Sequence, residues 1–252
     1  MVEVRATPSC QKVCLLRELQ SSQTGHARLA EILAFLRRGR HLSQLQEYTM
    51  VMAALRRLHL WKSAVSLLAE IHQAGMEPVV ISFNSAVSAC ERGCRWGVAA
   101  GILATMQDSS VKADVISCNG VLSACEKATL WEQGADVLCG MRRQAVDPST
   151  IACNAALSCC EKSQRWEHSL DLLQEMDHAS APPDKITCNA VLSACEKSNQ
   201  WSWAGHILRG MRSSSLELST VTYGAAISAC EQASRWSGAL NFWLAWATAT
   251  CS

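Results

Sequence analysis

Residues 115–131 read VISCNGVLSACEKATLW, and the features of this stretch recur at a fixed interval along the chain. Its closing tryptophan belongs to a column spaced 35 residues apart, which consists of Trp61, Trp96, Trp131, Trp166, Trp201 and Trp236. Cysteines followed by glutamate, asparagines and methionines keep the same spacing between residues 84 and 230. A fixed period of this length is typical of a repeat array, in which each unit packs on its neighbours instead of around one core.

Counting the unit from Val80 divides the chain into repeats. The predicted units are a divergent repeat at 45–79, full repeats at 80–114, 115–149, 150–184 and 185–219, and a shortened repeat at 220–252. Residues 1–44 form an N-terminal segment, within which 10–44 fits the frame weakly as a degenerate capping repeat. His26 stands there at the position of the tryptophan.

The apolar pattern of each repeat predicts two helices. In the repeat 80–114 we expect Ser82 to cap a first helix, helix A, whose apolar face has the helical spacing of Phe83, Ala86, Val87 and Cys90. The polar stretch 91–95 interrupts that pattern. A second apolar face, helix B, then follows with the spacing of Trp96, Ala99, Ala100, Leu103 and Met106. The predicted fold is all-α, a right-handed superhelical solenoid of stacked antiparallel helix pairs.

Residues 45–252 resemble the pentatricopeptide repeat. The resemblance rests on the helix starts at Val115 and Thr220, on the methionine late in helix B, and on unit ends such as 112–114 and 182–184. The signature of the 34-residue tetratricopeptide repeat is absent. The Cys-Glu-Lys segment and the tryptophan of helix B depart from plant members, and the short array resembles algal or dinoflagellate-like proteins of organelles.

The resemblance implies that each unit binds one base of single-stranded RNA, selected by the fifth and last residues of the unit. The implied pairs are Asn84 with Asp114 and Asn154 with Asp184 for U, and Asn119 with Ser149 and Asn189 with Ser219 for C. Because the family binds RNA in parallel, the implied tract is the pyrimidine-rich 5′-U-C-U-C-3′. Thr49 with Val79 is not a readable pair, and Gly224 has no side chain for hydrogen bonding.

Two further columns suit an RNA ligand. The second residues of the units are all aliphatic and would pack against the bases, and they are Ile81, Ile116, Ile151, Ile186 and Val221. One cation per unit would contact the phosphates, and these are Arg92, Lys127, Lys162 and Lys197. An asparagine amide offers both a donor and an acceptor to a pyrimidine edge, whereas a carboxylate only accepts.

Each column also has a purely structural interpretation. The asparagines could be polar first-turn residues that face water, and the aliphatic residues could seal the interface between units. The cations could pair on a solvated face with Glu91, Glu126, Glu161 and Glu196. The tryptophans are expected to pack between helices because each begins the apolar face of helix B.

The net charge of +1 is low for a protein that binds nucleic acid. Residues 1–79 contain 10 Lys and Arg against 6 Asp and Glu, with a basic group around Arg37, Arg38, Arg40, Arg56 and Arg57. Residues 80–252 contain 13 against 16. This distribution leaves open a second class of function, a scaffold that binds proteins in a groove without binding RNA.

The sequence predicts no enzyme, cofactor, metal site or membrane span. The seven histidines occupy no repeated column, and Cys118 and Cys125 have no partners in metal-ligand spacing. The 14 cysteines are expected to be free thiols in a reducing compartment. The family resemblance implies a chloroplast or, as the alternative, a mitochondrion, although residues 1–17 form no clear Arg- and Ser-rich presequence.

Overall fold

The computed structural model describes residues 8–20, 25–38, 42, 44–109, 111–178, 181–214, 216 and 218–250. Arg40 of the N-terminal basic group and residues 1–7 lie outside this range. All secondary structure within it is α-helical. The helices are α1 (Pro8–Gln20), α2 (His26–Arg38), α3 (Leu45–Arg57), α4 (Trp61–Gln73), α5 (Val80–Arg92), α6 (Trp96–Asp108), α7 (Val115–Lys127), α8 (Trp131–Arg143), α9 (Thr150–Lys162), α10 (Trp166–His178), α11 (Lys185–Lys197), α12 (Trp201–Ser213), α13 (Thr220–Gln232) and α14 (Trp236–Thr250).

The helix starts follow the repeat frame. From α4 onward every helix B begins at a tryptophan of the 35-residue column, and α2 begins at His26. The helices A from α5 onward begin at the first residue of each unit. The chain divides into two compact units, residues 1–124 and 125–252, with the boundary inside α7.

The prediction that Ser82 caps helix A is wrong. Helix α5 begins at Val80, three residues before the predicted start, because Val79, next to Pro78, has an extended backbone and takes the N-cap position. Ser82 lies in the first turn and is fully buried. The third residue of helix A therefore belongs to the core, although its side chain is polar.

Helix A forms the core of each compact unit. In the first unit α5 contacts α3, α4 and α6, and in the second α11 contacts α9, α10, α12 and α13. The predicted apolar face of α5 is confirmed, since Phe83, Ala86, Val87 and Cys90 are all buried. In α6, Ala99 and Met106 are buried as predicted, but Ile102 replaces Leu103 at the centre of the buried face.

Small residues allow consecutive helices A to approach closely. The sixth position of the unit holds Ser85, Gly120, Ala155, Ala190 and Ala225. A Cβ atom added to Gly120 would lie 2.7 Å from Cγ1 of Val87. Since this is closer than two carbon atoms can pack, a larger residue here would force Val87 or one of the helices α5 and α7 to shift.

Every helix A from α3 onward ends in the same turn. In α5, Cys94 is left-handed with a φ of 52°. The N–H of Arg95 donates to the carbonyl of Cys90 at 3.0 Å, and that of Cys94 donates to Glu91 at 3.2 Å. These two bonds form a Schellman motif. The left-handed residue recurs in the frame as His59, Cys94, Thr129, Gln164, Asn199 and Ser234.

Trp61 and Trp131 pack beside this turn, in line with the structural role expected for the column, whereas Trp236 is 68% exposed. Trp61 and Trp131 are half-buried. The guanidinium of Arg95 lies 4.8 Å from the ring centroid of Trp61, and that of Arg165 lies 5.1 Å from that of Trp131. Each arginine comes from the turn of the next repeat, so this cation–π contact joins neighbouring repeats.

Within the described residues, each helix is too short or too polar to cross a lipid bilayer.

Candidate nucleic-acid interface

The predicted site residues share one face of helix A. The second, fifth, ninth and thirteenth residues of α5 are Ile81, Asn84, Ser88 and Arg92, at intervals of three, four and four. This spacing places them in one stripe along the helix. Ile81 and Arg92 are exposed, whereas Asn84 and Ser88 are half-buried. We call the equivalent positions of α5, α7, α9 and α11 the exposed stripe.

The aliphatic column at the start of the exposed stripe faces solvent. The exposed fractions are 67% for Ile81, 67% for Ile116, 70% for Ile151, 66% for Ile186 and 68% for Val221. Side chains exposed to this extent do not seal the interface between repeats. Single exposed aliphatic residues are ordinary on protein surfaces, but here they recur at one-repeat intervals along one face.

The fifth and last residues of a repeat meet in the folded chain. In the first unit Nδ2 of Asn84 donates to the two carboxylate oxygens of Asp114 at 3.2 and 3.1 Å. In the second unit Nδ2 of Asn154 lies 3.3 and 3.5 Å from those of Asp184. Thirty residues separate the partners in each pair, and the return of the chain after helix B brings them together.

A hydroxyl group from the next helix A joins each pair. The hydroxyl of Ser117 donates to Oδ1 of Asn84 and lies 2.7 Å from Asp114. That of Thr187 lies 2.6 Å from Oδ1 of Asn154 and 2.8 Å from Asp184. These hydroxyls were not among the predicted site residues, although Ser117 and Thr187 hold the same position of their repeats and a buried hydroxyl needs a partner.

Both aspartates are ionised in this setting. Burial works against the charge of Asp114, but the backbone N–H of Ser117 and the amide of Asn84 donate to it and the hydroxyl of Ser117 lies beside it, so its pKa is lowered. For Asp184, burial is again outweighed, by the backbone and hydroxyl of Thr187 and by Asn154, so its pKa is also lowered. Each carboxylate is therefore a pure hydrogen-bond acceptor at neutral pH.

The last residue of each repeat is also the N-cap of the next helix. Asp114 accepts a bond from the backbone of Ser117 at 2.8 Å, Ser149 from that of Ala152 at 3.2 Å, and Asp184 from that of Thr187 at 2.8 Å. Ser219 accepts from the backbone of Thr222 at 3.3 Å. Aspartate and serine are both favoured N-caps. Capping alone explains why these two residue types occur here, so their identity is not by itself evidence for RNA.

The lysines of the exposed stripe form ion pairs with the preceding repeat. Nζ of Lys162 lies 3.1 Å from Glu126, and Nζ of Lys197 lies 2.9 Å from Glu161. Glu126 also accepts a bond at 2.9 Å from the hydroxyl of Ser158. These two lysines therefore follow the structural alternative, in which the cations pair with glutamates on a face exposed to water. Arg92 and Lys127 occupy the equivalent exposed positions of α5 and α7.

The cysteines of the repeated column are buried. Burial raises the pKa of Cys90, Cys125 and Cys160 to about 11, and that of Cys195 to about 12. Thiols with such pKa values stay protonated and react slowly. The cysteines in the described part of the chain are free, and these residues include no group of three or more His, Cys, Asp or Glu that could hold a metal ion.

The repeats 45–79 and 220–252, which have no base-selecting pair, lack the site. The hydroxyl of Thr49 donates to the carbonyl of Gln46 in its own helix at 2.8 Å. Val79 has no polar side-chain atom, and an added Cβ at Gly224 would have no atom within 4 Å. The exposed stripe therefore offers four equivalent polar positions, one in each full repeat.

Two family models match the chain. The model described as the pentatricopeptide repeat domain matches residues 101–163 and 171–232, and the one described as the PPR repeat matches 151–179. Together they cover 101–232, which is more than half of the chain. Among curated proteins, none matches the sequence.

The fold is similar to that of solved structures. The crystal structure of the pentatricopeptide repeat protein PPR10 from maize has 22% sequence identity and a TM-score of 0.69, and the match covers 97% of this chain and 35% of that one. The present chain thus spans about a third of its length. This likeness confirms the predicted fold, an all-α helical-repeat solenoid.

Two of the similar structures contain RNA. PPR10 in complex with an 18-nt psaJ RNA element has 20% identity and a TM-score of 0.58, with coverage of 96% of this chain and 36% of that chain. The PPR domain of Arabidopsis thaliana protein-only RNase P 1 in complex with tRNA has 13% identity and a TM-score of 0.59. That match covers 69% of this chain and 91% of that chain.

Proposed function

The chain belongs to the pentatricopeptide repeat family, and we propose that it binds single-stranded RNA with one base per repeat. It would act as an adaptor that covers a short tract and thereby governs processing, stability or editing of the RNA. The RNA ligands of PPR10 and of protein-only RNase P 1 support RNA as the class of partner.

The column of exposed aliphatic side chains carries this proposal. An unpaired base has two apolar faces, and side chains from consecutive repeats can pack against both of them. Ile81, Ile116, Ile151 and Ile186 are each about two-thirds exposed and one repeat apart. The solenoid gains little from such exposure, whereas a ligand whose units repeat with the protein would bury all of these side chains.

The hydrogen-bonding groups beside this column suit pyrimidines. An ionised Asp114 or Asp184 accepts from the N3–H of uracil and repels the lone pair at N3 of cytosine. A serine hydroxyl, as in Ser149 or Ser219, can donate to that lone pair. The order of the repeats then gives 5′-U-C-U-C-3′.

The affinity of so short an array is modest. Four bases at roughly 1.5 kcal/mol each give about 6 kcal/mol before ordering costs, which corresponds to a Kd of tens of micromolar. The ion pairs of Lys162 and Lys197 reduce the charge available to phosphates. We therefore expect useful binding to require a partner protein, avidity or additional repeats.

We expect no catalysis and no cofactor, so that processing would be carried out by other proteins that the RNA complex recruits. The family resemblance leads us to propose the chloroplast as the location, with the mitochondrion as the alternative. Imaging of a fusion of the full natural protein with a fluorescent protein tests this part of the proposal.

A protein-binding scaffold is the second candidate, and one observation favours it. In the first unit an apolar groove of about 920 Å³ lies between α4 and α6. Val65, Leu68, Val98 and Ile102 line it, and Glu77 and Asp108 add negative charge. A groove of this character suits an apolar helix or peptide better than a polyanion.

Fluorescence anisotropy with a labelled UCUC oligonucleotide, a purine-rich control and a salt series tests the proposed function. We expect preferential binding of UCUC that weakens as salt increases. Asn154→Ala should weaken it about tenfold, whereas Gln174→Ala, an exposed polar residue on helix B, should leave it unchanged.

Ile151→Ala is the matched test of the aliphatic column. Because Ile151 is 70% exposed, its truncation should change the free energy of unfolding by less than about 0.5 kcal/mol and still weaken RNA binding. If neither RNA binds to a protein that circular dichroism shows to be folded, the scaffold becomes the better proposal.

A further inference from the structure

The asparagines of the exposed stripe differ in how their amides are held. An amide can present its N–H₂ or its carbonyl to a base, and neighbouring groups decide which. Hydroxyls bind Oδ1 in three cases, from Ser117 to Asn84, from Thr187 to Asn154 at 2.6 Å and from Thr222 to Asn189 at 2.8 Å. With its carbonyl occupied, such an amide presents only donors to the ligand.

In the two repeats that end in aspartate, the amide is held twice. Nδ2 of Asn84 donates to Asp114 at 3.1 Å, and Nδ2 of Asn154 donates to Asp184 at 3.3 Å. A flipped amide would direct its carbonyl oxygen at the carboxylate and its N–H₂ at the hydroxyl. The carboxylate alone therefore fixes the orientation, and the hydroxyl reinforces it.

In the repeats that end in serine there is no carboxylate, so only the hydroxyl of the next helix A can hold the amide. Thr222 provides it for Asn189, and it is held in turn by Ser219, whose Oγ lies 2.9 Å away. Asn119 differs from Asn189. Its Oδ1 is buried and has no hydrogen-bond partner among the described residues, and the sequence has Ala152 at the position equivalent to Thr222.

We infer that the third residue of the following repeat is a positioning residue for base selection, an inference that rests on the proposed function. Asn119 and Asn189 belong to identical Asn–Ser pairs, yet the hydroxyl of Thr222 holds the amide of Asn189, whereas Oδ1 of Asn119 has no hydrogen-bond partner among the described residues. The repeat 185–219 then discriminates between bases, and the repeat 115–149 is permissive.

The experiment measures base discrimination at single positions of the RNA. The four bases are placed in turn at the second and at the fourth nucleotide of UCUC, and the Kd of each oligonucleotide is measured by anisotropy. We expect about tenfold preference for C over U at the fourth nucleotide and less than about threefold at the second. Thr222→Ala should lower the discrimination at the fourth nucleotide to that of the second.

Thr222→Ser is the control variant, because it keeps the hydroxyl and should keep the discrimination. Thr222 is also half of the capping box of α13, so Thr222→Ala will lower stability to some extent. A merely structural role would weaken binding of all oligonucleotides alike and leave the ratio of their Kd values unchanged. The third nucleotide, which faces the repeat 150–184, should keep its preference for U in both variants.

Two results would overturn the inference while the proposed function stands. One is equal discrimination at the second and fourth nucleotides of the unaltered protein, and the other is an unchanged ratio of Kd values in Thr222→Ala. Failure of the folded protein to bind any of the oligonucleotides would overturn the proposed function, and this inference with it.

Discussion

Replacement of Asp184 separates its structural role from its role in base selection. Asp184 caps α11 through the backbone of Thr187 at 2.8 Å and holds the amide of Asn154. Asp184→Ala removes the cap, which lowers the free energy of unfolding by about 1 kcal/mol. It also leaves the half-exposed amide of Asn154 without its carboxylate partner. We expect a total loss of about 1–2 kcal/mol, or roughly 2–4 °C in the midpoint of thermal unfolding per kcal/mol. Asp184→Ser keeps a capping oxygen, as Ser149 and Ser219 do in this chain, and should stay within about 0.5 kcal/mol of the unaltered protein.

The two variants differ more sharply in RNA binding. Asp184→Ser should change the preference at the third nucleotide from U to C, whereas Asp184→Ala should remove it. Thermal unfolding followed by circular dichroism measures the change in stability. Anisotropy with oligonucleotides that carry U or C at the third nucleotide measures the change in preference. If Asp184→Ser destabilises the protein as much as alanine, the capping argument is wrong. If it retains the preference for U, Asp184 does not select the base.

The lowered pKa of Asp184 gives this position a defined dependence on pH. The folded pKa lies below the unfolded value of roughly 3.9. The stability from the carboxylate is therefore fully present above the unfolded pKa and is lost as the pH falls through the folded one. The preference for U should be constant from about pH 8 to 5. A preference that weakens already near pH 6 would contradict an ionised, hydrogen-bonded Asp184.

Three other predictions concern the exposed stripe and the helix ends. Glu126→Gln combined with Glu161→Gln should release Lys162 and Lys197 from their ion pairs. RNA binding should then tighten several-fold and depend more steeply on salt. An unchanged salt slope would show that these lysines do not contact phosphates. Thr129→Gly should raise the unfolding free energy by about 0.5–1 kcal/mol in urea titrations, because a β-branched residue is strained at a φ of 56°. A loss of stability would show that the backbone of Thr129 is not strained. Thiol labelling at pH 8, mapped by mass spectrometry, should modify the exposed Cys94 and Cys139 within minutes and spare the buried cysteine column until the protein unfolds.

The periodicity of the sequence predicted the helices closely. Trp61, Trp96 and their equivalents begin the helices B to the residue, and the frame counted from Val80 begins the helices A. Periodicity is informative here because each repeat packs against similar neighbours. Equivalent positions of the repeats therefore have similar surroundings and similar residues. The error at Ser82 arose because serine is a favoured cap, whereas the extended backbone of Val79 sets the helix start.

The sequence by itself determined the repeat, the two helices of each unit, and the columns that hold asparagine, aliphatic and basic residues. Only the tertiary structure decided how those columns act. It exposes Ile151 and its equivalents, pairs Lys162 with Glu126, and brings Asn154 to Asp184 and Thr187. These contacts join residues that are 30–36 positions apart. A column in the sequence shows which residue types recur, but the packing of one repeat on the next sets which of them meet.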